Sequence, residues 1–443
     1  METGFEPVYA ALQAAASPLG HSTAHESRYL DPSSGRPGSN RRPEPWQGSA
    51  LPTALRPQSR RNLSQVGSLP QTGRIRATFP RGAYPSPVSL TTPIAPGEPL
   101  FWGDGLLARG LAEVRNDLDA LSEPGFWVVV AAFECQYTFA RFDEVVRAPE
   151  GVPAMGWAPQ LLSWSSSLSQ EEYKNGVEAI RKNIARGQVY QTNLCRILSA
   201  PIDPTVDLFP LALHLAAENP APHSRYVRIP GMEIASASPE RFLSRDGTSI
   251  LTTPIKGTAT TPEQLLAKDN DENVMIVDLM RNDLGSICRT GSITVPRLLA
   301  METHPGLVHL VSDVRGELRD GITWSEIFAA TMPPGSVSGA PKSSALEVIS
   351  ELEPTPRGPY CGAIGWIHGE RAELAVGIRT FWMEGDRKHL KFGTGAGITW
   401  GSDPEGEWAE TELKAARLIA LAGGNEVASV SYTHLTLPTK RIV

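Results

Sequence analysis

Between residues 84 and 425, strand-like and helix-like segments follow one another without a regular alternation. The apolar run at 126–133 is typical of a buried strand, and residues 189–199 alternate along their length as a strand does. Residues 169–186 instead repeat apolar side chains at helical spacing and stop at Gly187. A doubly wound parallel sheet requires repeated strand–helix–strand units, so this order argues against that fold.

The rest of this core has the same mixed character. It predicts further helices at 262–280, 343–351 and 405–422, and strands near 363–368, 374–382 and 390–393. Neither G-x-G-x-x-G nor G-x-x-x-x-G-K-[ST] follows a predicted strand. Because those glycine motifs hold phosphates in the common nucleotide-binding folds, the sequence does not support nucleotide binding.

The two ends of the chain differ from the core. Residues 1–81 contain ten Pro, ten Arg, no Lys and five acidic residues, so we expect disorder. They are either a basic tail that binds a partner or a flexible or misassigned leader. Residues 428–443 resemble translated adapter sequence and are expected to be non-native. The core, 84–425, divides into an N-terminal part at 84–165 and a motif-bearing part at 169–422.

Charge and cysteine content restrict the partners and the compartment. The net charge of -7 disfavours nucleic-acid binding, which needs a basic face. Four cysteines lie far apart without a C-x-x-C pair, which predicts reduced thiols in a cytoplasmic protein. No apolar run approaches the roughly 18 residues that span a bilayer, and the N-terminus lacks the features of a secretory signal. We expect neither a nucleic-acid nor a membrane partner.

Carboxylates recur at helical spacing in two of the predicted helices. Asp269 and Glu272 are three residues apart, and Glu407, Glu410 and Lys414 follow one stripe of the last helix. Two such helices have the side chains to hold one Mg²⁺, which takes few protein carboxylates and completes its shell with water and an anionic substrate. The alternative is that both stripes are solvated faces, and spacing alone does not choose between them.

Polar residues also stand where apolar ones are usual. Gln191 and Asn193 share one face of the strand at 189–199, which suggests a polar cavity. Arg379 falls inside the apolar strand at 374–382, where a buried carboxylate is the natural partner. Lys256 follows Ile255 and precedes a glycine, a context that is more typical of an exposed lysine than of a catalytic one.

Two segments rich in small residues, 333–342 and 393–399, complete the set. The second of these is expected to form a loop after the strand at 390–393. Backbone N–H groups without bulky neighbours approach anions closely, although for either segment taken singly turn formation is the favoured explanation.

Seven blocks of the core carry a resemblance to a known family: Ser238–Phe242, Pro254–Thr258, Glu272–Asp283, Gly339–Lys342, Gly377–Thr380, Gly395–Gly397 and Glu407–Lys414. They occur in the order found in the chorismate-utilising enzymes, and the chain is identified as a member of that family. The resemblance covers about 84–422. It implies an α+β fold, a single large domain of two near-orthogonally packed antiparallel β-sheets flanked by helices, with the active site in a cleft.

The resemblance also implies a metal site and an acid. Glu272 and Glu410 would bind Mg²⁺, with Asp269 and Glu407 nearby to hold waters, and the metal would clamp the ring carboxylate of chorismate. Glu240 matches the acid that protonates the departing C4 hydroxyl.

Further family positions are implied to bind chorismate or to act on it. His309 matches an active-site histidine, and Arg379 and Tyr360 match the site for the enolpyruvyl carboxylate. The other implied substrate-binding residues are Gln191, Thr258, the backbone of Gly395, Ala396 and Gly397, and the supporting Lys414.

Two positions separate the branches of the family. Isochorismate and salicylate synthases have a water-activating lysine where this chain has Gln191, and a neutral amide is no base. Lys256 resembles the aminodeoxychorismate-forming branch, in which it attacks C2 of chorismate so that ammonia enters at C4. A glutamine amidotransferase partner and a downstream aminodeoxychorismate lyase are then implied. The alternatives are the anthranilate-forming branch, usually with alanine at this position, and a non-catalytic chorismate-binding paralogue.

Overall fold

The computed structural model describes residues 94–95, 97–148, 156–158, 162–259, 261–265, 267–304 and 307–423, which belong to one compact unit. The predictions for 1–81 and 428–443 lie outside these residues. Among the helices of this region, none is long and apolar enough to cross a membrane.

Six α-helices lie within the described residues: α1 Gln170–Ala185, α2 Phe209–Glu218, α3 Ala267–Gly285, α4 Trp324–Thr331, α5 Lys342–Leu352 and α6 Pro404–Ala422. Helix α1 begins at Ser169, whose side chain forms a reciprocal capping box with Glu172. Its buried Tyr173, Val177 and Ile180 recur at helical spacing and face the sheet. Helix α6 starts after Asp403, whose side chain caps its first turn.

Eighteen β-strands are formed by the same part of the chain: β1 Leu100–Gly103, β2 Leu106–Arg115, β3 Phe126–Ala131, β4 Tyr137–Arg147, β5 Ser165–Ser166, β6 Gln191–Pro201, β7 His223–Ile229, β8 Met232–Ser238, β9 Arg241–Asp246, β10 Ser249–Thr253, β11 Ile255–Ala259, β12 Thr294–His304, β13 Leu307–Glu317, β14 Gly339–Ala340, β15 Ala363–His368, β16 Arg371–Val376, β17 Thr380–Glu384 and β18 His389–Ile398.

Every strand pair in the described residues is antiparallel, and hydrogen bonds join all the strands into one continuous network. From β6 the order runs through β18, β17, β8, β7, β1, β2, β4, β3, β15, β16, β9 and β10 to β13, which also pairs with β11 and β12. With the helices packed against these strands, the predicted α+β class with antiparallel sheets is confirmed.

Strand β6 lies at the centre of the functional half of the molecule. It pairs with β18 from Pro201 opposite His389 to Thr192 opposite Ile398. One buried apolar cluster packs α2 and α6 against β6, β8, β17 and β18, and a second packs α1 and α5 against β6 and β18. Strand β6 is therefore covered by helices along its length, which holds its polar first residues at a defined depth.

The cysteines agree with the prediction of unpaired thiols. Cys195, Cys288 and Cys361 are buried, Cys135 is partly exposed, and none forms a disulfide.

Candidate active site

Lys256 lies where three carboxylates from separate parts of the chain converge. It stands on β11, close enough to Glu240, Glu272 and Glu410 for each carboxylate to raise its pKa. Glu240 follows β8, Glu272 lies on α3, which packs on β11 and β13, and Glu410 lies on α6, which packs on β18. The structure therefore brings together predicted residues that are far apart in the sequence.

Burial nevertheless has the larger effect on Lys256. Loss of solvent lowers the pKa of its ammonium group below the ordinary value, and the positive charge of Lys414 lowers it further. The neighbouring carboxylates oppose this shift without cancelling it. A lysine with a lowered pKa is more readily neutral, which is the form that attacks an electrophilic carbon.

Glu240 is suited to donate a proton near neutral pH. Its side chain is buried, and this burial raises the pKa of the carboxyl to about 7. The Ser336 hydroxyl, Lys256 and the backbone N–H of Ile255 favour the ionised form and limit the rise. An acid with a pKa close to the working pH has both a protonated population and a strong tendency to transfer the proton.

Of the other two predicted carboxylates, Asp269 lies beside this centre, and Glu407 lies on the helix that carries Glu410. A Cβ atom at Gly257 would lie 2.9 Å from Cβ of Asp269, so Asp269 packs directly against the backbone beside Lys256. On α6, Glu407 is buried and Glu410 is half-exposed, 2.6 Å from the ammonium of Lys414. Lys414 also donates to the carbonyl of Gly395 at 3.1 Å.

The donor set suits the predicted Mg²⁺. Glu272 and Glu410 come from two helices and act on the same lysine, so one hard cation between them would have two carboxylate ligands. Mg²⁺ keeps several waters and commonly uses one or two protein carboxylates. The described residues contain no group of three or more His, Cys, Asp or Glu side chains arranged to hold a metal ion. The Mg²⁺ site therefore stays a prediction.

Gln191 supplies an unsatisfied amide in the interior. It is fully buried at the first position of β6, and neither its Oε1 nor its Nε2 has a hydrogen-bond partner among the described residues. A Cβ atom at Gly397 would overlap Nε2, so the amide lies directly over the glycine. Because an unpaired buried amide is costly, these atoms are positioned to bond to a polar ligand.

The expectation of a glycine loop at 393–399 is wrong. Gly395, Ala396 and Gly397 lie within β18, opposite Cys195, Leu194 and Asn193 of β6. Side chains at alternate positions of a strand point to one face. On that face the ring of Tyr360 lies over Gly393, the thiol of Cys195 over Gly395 and Gln191 over Gly397. The glycines are required by close packing on a strand.

The expectation for Arg379 is also wrong in two respects. The predicted strand at 374–382 is interrupted, and Arg379 occupies the break between β16 and β17 with a φ of 51°. Its guanidinium has no carboxylate or hydrogen-bond partner in the part of the chain that the structure describes, and burial lowers the pKa of this group. A half-buried, unpaired arginine is an effective site for a carboxylate ligand.

Three further predicted residues have defined positions. Tyr360 is buried, and His309 is buried on β13 opposite both Thr258 of β11 and Glu302 of β12. The side chain of Thr258 lies outside the described residues. His309 therefore lies on the strand that pairs directly with β11, the strand that carries Lys256.

Sequence reasoning missed Ser336 and Arg357. Ser336 hydrogen-bonds Glu240 from a short 3₁₀ turn, Gly335–Val337, which the sequence indicated only as a loop rich in small residues. Arg357 is the more informative omission, since an arginine followed by Gly-Pro resembles an exposed turn but is almost completely buried.

Comparison with known proteins shows the family of this chain. Residues 114–420 match the family model for chorismate binding enzymes. Anthranilate synthase component 1 3 of Haloarcula marismortui is 36% identical over 306 residues, which are 65% of this chain and 60% of the relative. Aminodeoxychorismate synthase component 1 of Bacillus subtilis is 35% identical over 266 residues, which are 57% of this chain and 56% of that protein. The chain thus spans about three-fifths of the length of these relatives.

A solved structure supports the same fold. Anthranilate synthase component I of Streptococcus pneumoniae superposes with a TM-score of 0.60 at 24% identity, covering 73% of this chain and 90% of that one. The family model covers well over half of the chain, and the residues gathered around Lys256 lie within the matched range. The chain belongs to the chorismate binding enzymes.

Proposed function

We propose that this chain is the chorismate-aminating component of an aminodeoxychorismate synthase, which converts chorismate and ammonia into 4-amino-4-deoxychorismate and water. The observation that carries this proposal is the environment of Lys256, a partly buried amine of lowered pKa beside a carboxyl that is protonated near neutrality. A branch that adds ammonia directly to C2 has no use for a nucleophile at this position.

In the proposed first step, the neutral amine of Lys256 forms a bond to C2 of chorismate. Both conjugated ring double bonds shift, from C1=C2 and C5=C6 to C1=C6 and C4=C5, the C4–O bond breaks, and Glu240 donates its proton so that the hydroxyl leaves as water. In the second step ammonia bonds to C4, both double bonds shift back and the C2–N bond to Lys256 breaks, which releases the neutral amine. The Glu240 carboxylate takes up the proton released from the ammonia nitrogen, so both side chains return to their initial states.

Substrate orientation is assigned to groups that lack other partners. The guanidinium of Arg379 would bind the enolpyruvyl carboxylate, and the amide of Gln191 would bond to a polar group of the ring. Mg²⁺ held by Glu272 and Glu410 would neutralise the ring carboxylate. Ammonia would come from a separate glutamine amidotransferase, and a lyase acting on the product would release pyruvate.

The anthranilate-forming reaction is the second candidate, because the first relative described above bears that name. We expect purified protein with chorismate, Mg²⁺ and ammonium to accumulate a product with the mass of aminodeoxychorismate. Added aminodeoxychorismate lyase should convert this product to 4-aminobenzoate, and mass spectrometry measures both compounds. Fluorescent anthranilate formed without lyase would contradict the proposal, and a lyase-only reaction with authentic aminodeoxychorismate is the control.

A second prediction concerns pH. The protonated form of Glu240 is the active one, so kcat/KM should fall as the pH rises through about 7. Glu240→Gln should lower the rate by about 10² to 10⁴-fold and remove this limb, since an amide does not titrate. If kcat/KM of the glutamine variant still fell as the pH rose through about 7, the group that titrates there would not be Glu240.

A further inference from the structure

The ladder on one side of β6 is interrupted. Strand β14 pairs with Gln191 and Thr192, and β5 pairs with Leu198 and Ser199. Between these pairs, residues 193–197 have no strand partner on that side within the described residues. Their outward N–H and carbonyl groups are buried, and buried backbone groups require partners. At the ends of this gap, the Asn193 N–H donates to the Ser338 carbonyl at 2.8 Å and the Ile197 carbonyl accepts from the Ser167 N–H at 2.9 Å. Between them, the Asn193 carbonyl and the Cys195 N–H bond to side chains.

An ion pair fills part of this gap. One carboxylate oxygen of Glu353 accepts from the N–H of Cys195 at 2.8 Å, and Nη2 of Arg357 donates to the carbonyl of Asn193 at 3.1 Å. The two side chains bond to each other at 2.6 and 2.7 Å and are only 6% and 1% exposed. Two charged side chains thus replace a strand edge at the point where β6 enters the site, with their own hydrogen bonds satisfied.

The same guanidinium reaches the segment that holds the acid. Nη1 of Arg357 donates to the carbonyl of Val337 at 2.8 Å. Val337 follows Ser336, whose hydroxyl bonds to the carboxyl of Glu240. A displacement of this turn would therefore change the hydrogen bonding of Glu240 without altering any residue that touches it.

The backbone of Arg357 begins the turn at residues 357–360, which carries Tyr360 and is called the Tyr360 turn below. The partly buried carboxylate of Glu134 accepts from the N–H groups of Arg357 and Gly358 at 2.7 and 3.1 Å. The guanidinium stacks on the ring of Phe133 at 4.1 Å. The Tyr360 N–H also donates to the Arg357 carbonyl at 3.2 Å. Contacts of both the backbone and the side chain of Arg357 therefore hold this turn in place.

We propose that Arg357 is the positioning residue of this site, which holds β6, the Ser336 turn and the Tyr360 turn in a single arrangement without touching substrate. Its planar fork donates in three directions at once. Lysine has the same charge but one nitrogen, which does not span the Asn193 and Val337 carbonyls and both oxygens of Glu353. The inference rests on the proposed function only in taking chorismate as the ligand.

The test compares Arg357→Lys with the matched control Arg225→Lys. Arg225 is equally buried, pairs with Asp104 at 3.0 Å and bonds to the Ile364 carbonyl, away from the Lys256 centre. In folded Arg357→Lys, kcat for chorismate consumption should fall about a hundred-fold, as small misplacements of reacting groups do. The alkaline limb should move to higher pH, because the Ser336 bond that favours ionised Glu240 is loosened. The control should keep the limb of the parent.

Folding is monitored in parallel by circular dichroism. If Arg357→Lys does not fold, Glu134→Gln tests the same role, because its single amide oxygen replaces the two oxygens that hold the Arg357 and Gly358 N–H groups. It should lower kcat about tenfold by the same misplacement. Unchanged kcat and an unchanged limb in the folded variant overturn the proposal.

Both readouts follow loss of chorismate, so they do not depend on which amine is formed. If the parent binds chorismate without consuming it, the proposed function fails and the comparison is made on Kd. A rise of about tenfold or more for Arg357→Lys, absent in Arg225→Lys, then supports the positioning role, and equal Kd values overturn it.

Discussion

Replacing Lys256 with alanine is expected to abolish the formation of aminodeoxychorismate, with a loss of about a thousand-fold or more in kcat. The amine is the proposed nucleophile, and it does not stabilise the fold, because its loss of solvent outweighs the attraction of the neighbouring carboxylates. The variant should fold at least as well as the parent. Chorismate binding should persist, since Arg379 and Gln191 are unaltered.

The covalent role has a direct readout. Parent protein mixed with chorismate and Mg²⁺ in the absence of ammonia should show an adduct on the peptide containing Lys256 by mass spectrometry, and the alanine variant should not. Lys388→Ala is the matched control, because Lys388 is 65% exposed and pairs with Asp386 at 3.5 Å. An alanine variant that forms aminodeoxychorismate at the parent rate would exclude Lys256 as the nucleophile.

Removing one carboxylate from the proposed metal pair should have a comparably large effect. Loss of a group that only supports a ligand weakens metal binding about 10 to 100-fold, so loss of a ligand should cost at least about 100-fold in Mg²⁺ affinity. Glu410→Gln keeps the size of the side chain and removes the charge. The expected results are loss of Mg²⁺-dependent turnover at millimolar Mg²⁺ and a matching loss of Mg²⁺ binding in calorimetry with chorismate present.

The control for this variant lies on the same helix. Glu405→Gln removes a carboxylate from the first turn of α6 that pairs with Lys174 near the surface, so it changes the helix charge equally without altering the Lys256 centre. Retained Mg²⁺ dependence in Glu410→Gln, with a Kd like that of Glu405→Gln, would show that Glu410 is not a ligand.

The elements that the sequence predicted best are those whose side-chain periodicity is complete within one segment. The strand predicted at 363–368 is β15, and the helix predicted at 169–186 differs from α1 by one residue at each end. The i, i+3 carboxylate spacing also held, because Asp269 and Glu272 lie on one helix. In each case neighbouring residues of the chain determine the outcome.

The predictions of a loop at 393–399 and of a carboxylate partner for Arg379 are wrong for a common reason. Glycines normally disfavour a strand, but here they are needed because Tyr360 and Gln191 pack onto that strand from other segments. The apolar neighbours of Arg379 predict a buried carboxylate partner, whereas the chain leaves the strand at that residue. Neither cause is visible within the local sequence.

The sequence alone determined the family, the order of the elements and the residue types at the site, because ordered motifs and local periodicity are properties of the chain. Only the tertiary structure decided the pKa values of those residues. Lys256 has a lowered pKa, and Glu240 a raised one, because strands and helices remote in sequence exclude water from them. Solvent exclusion and the gap in the β6 ladder that Arg357 fills arise from contacts between distant segments, which a linear pattern does not encode.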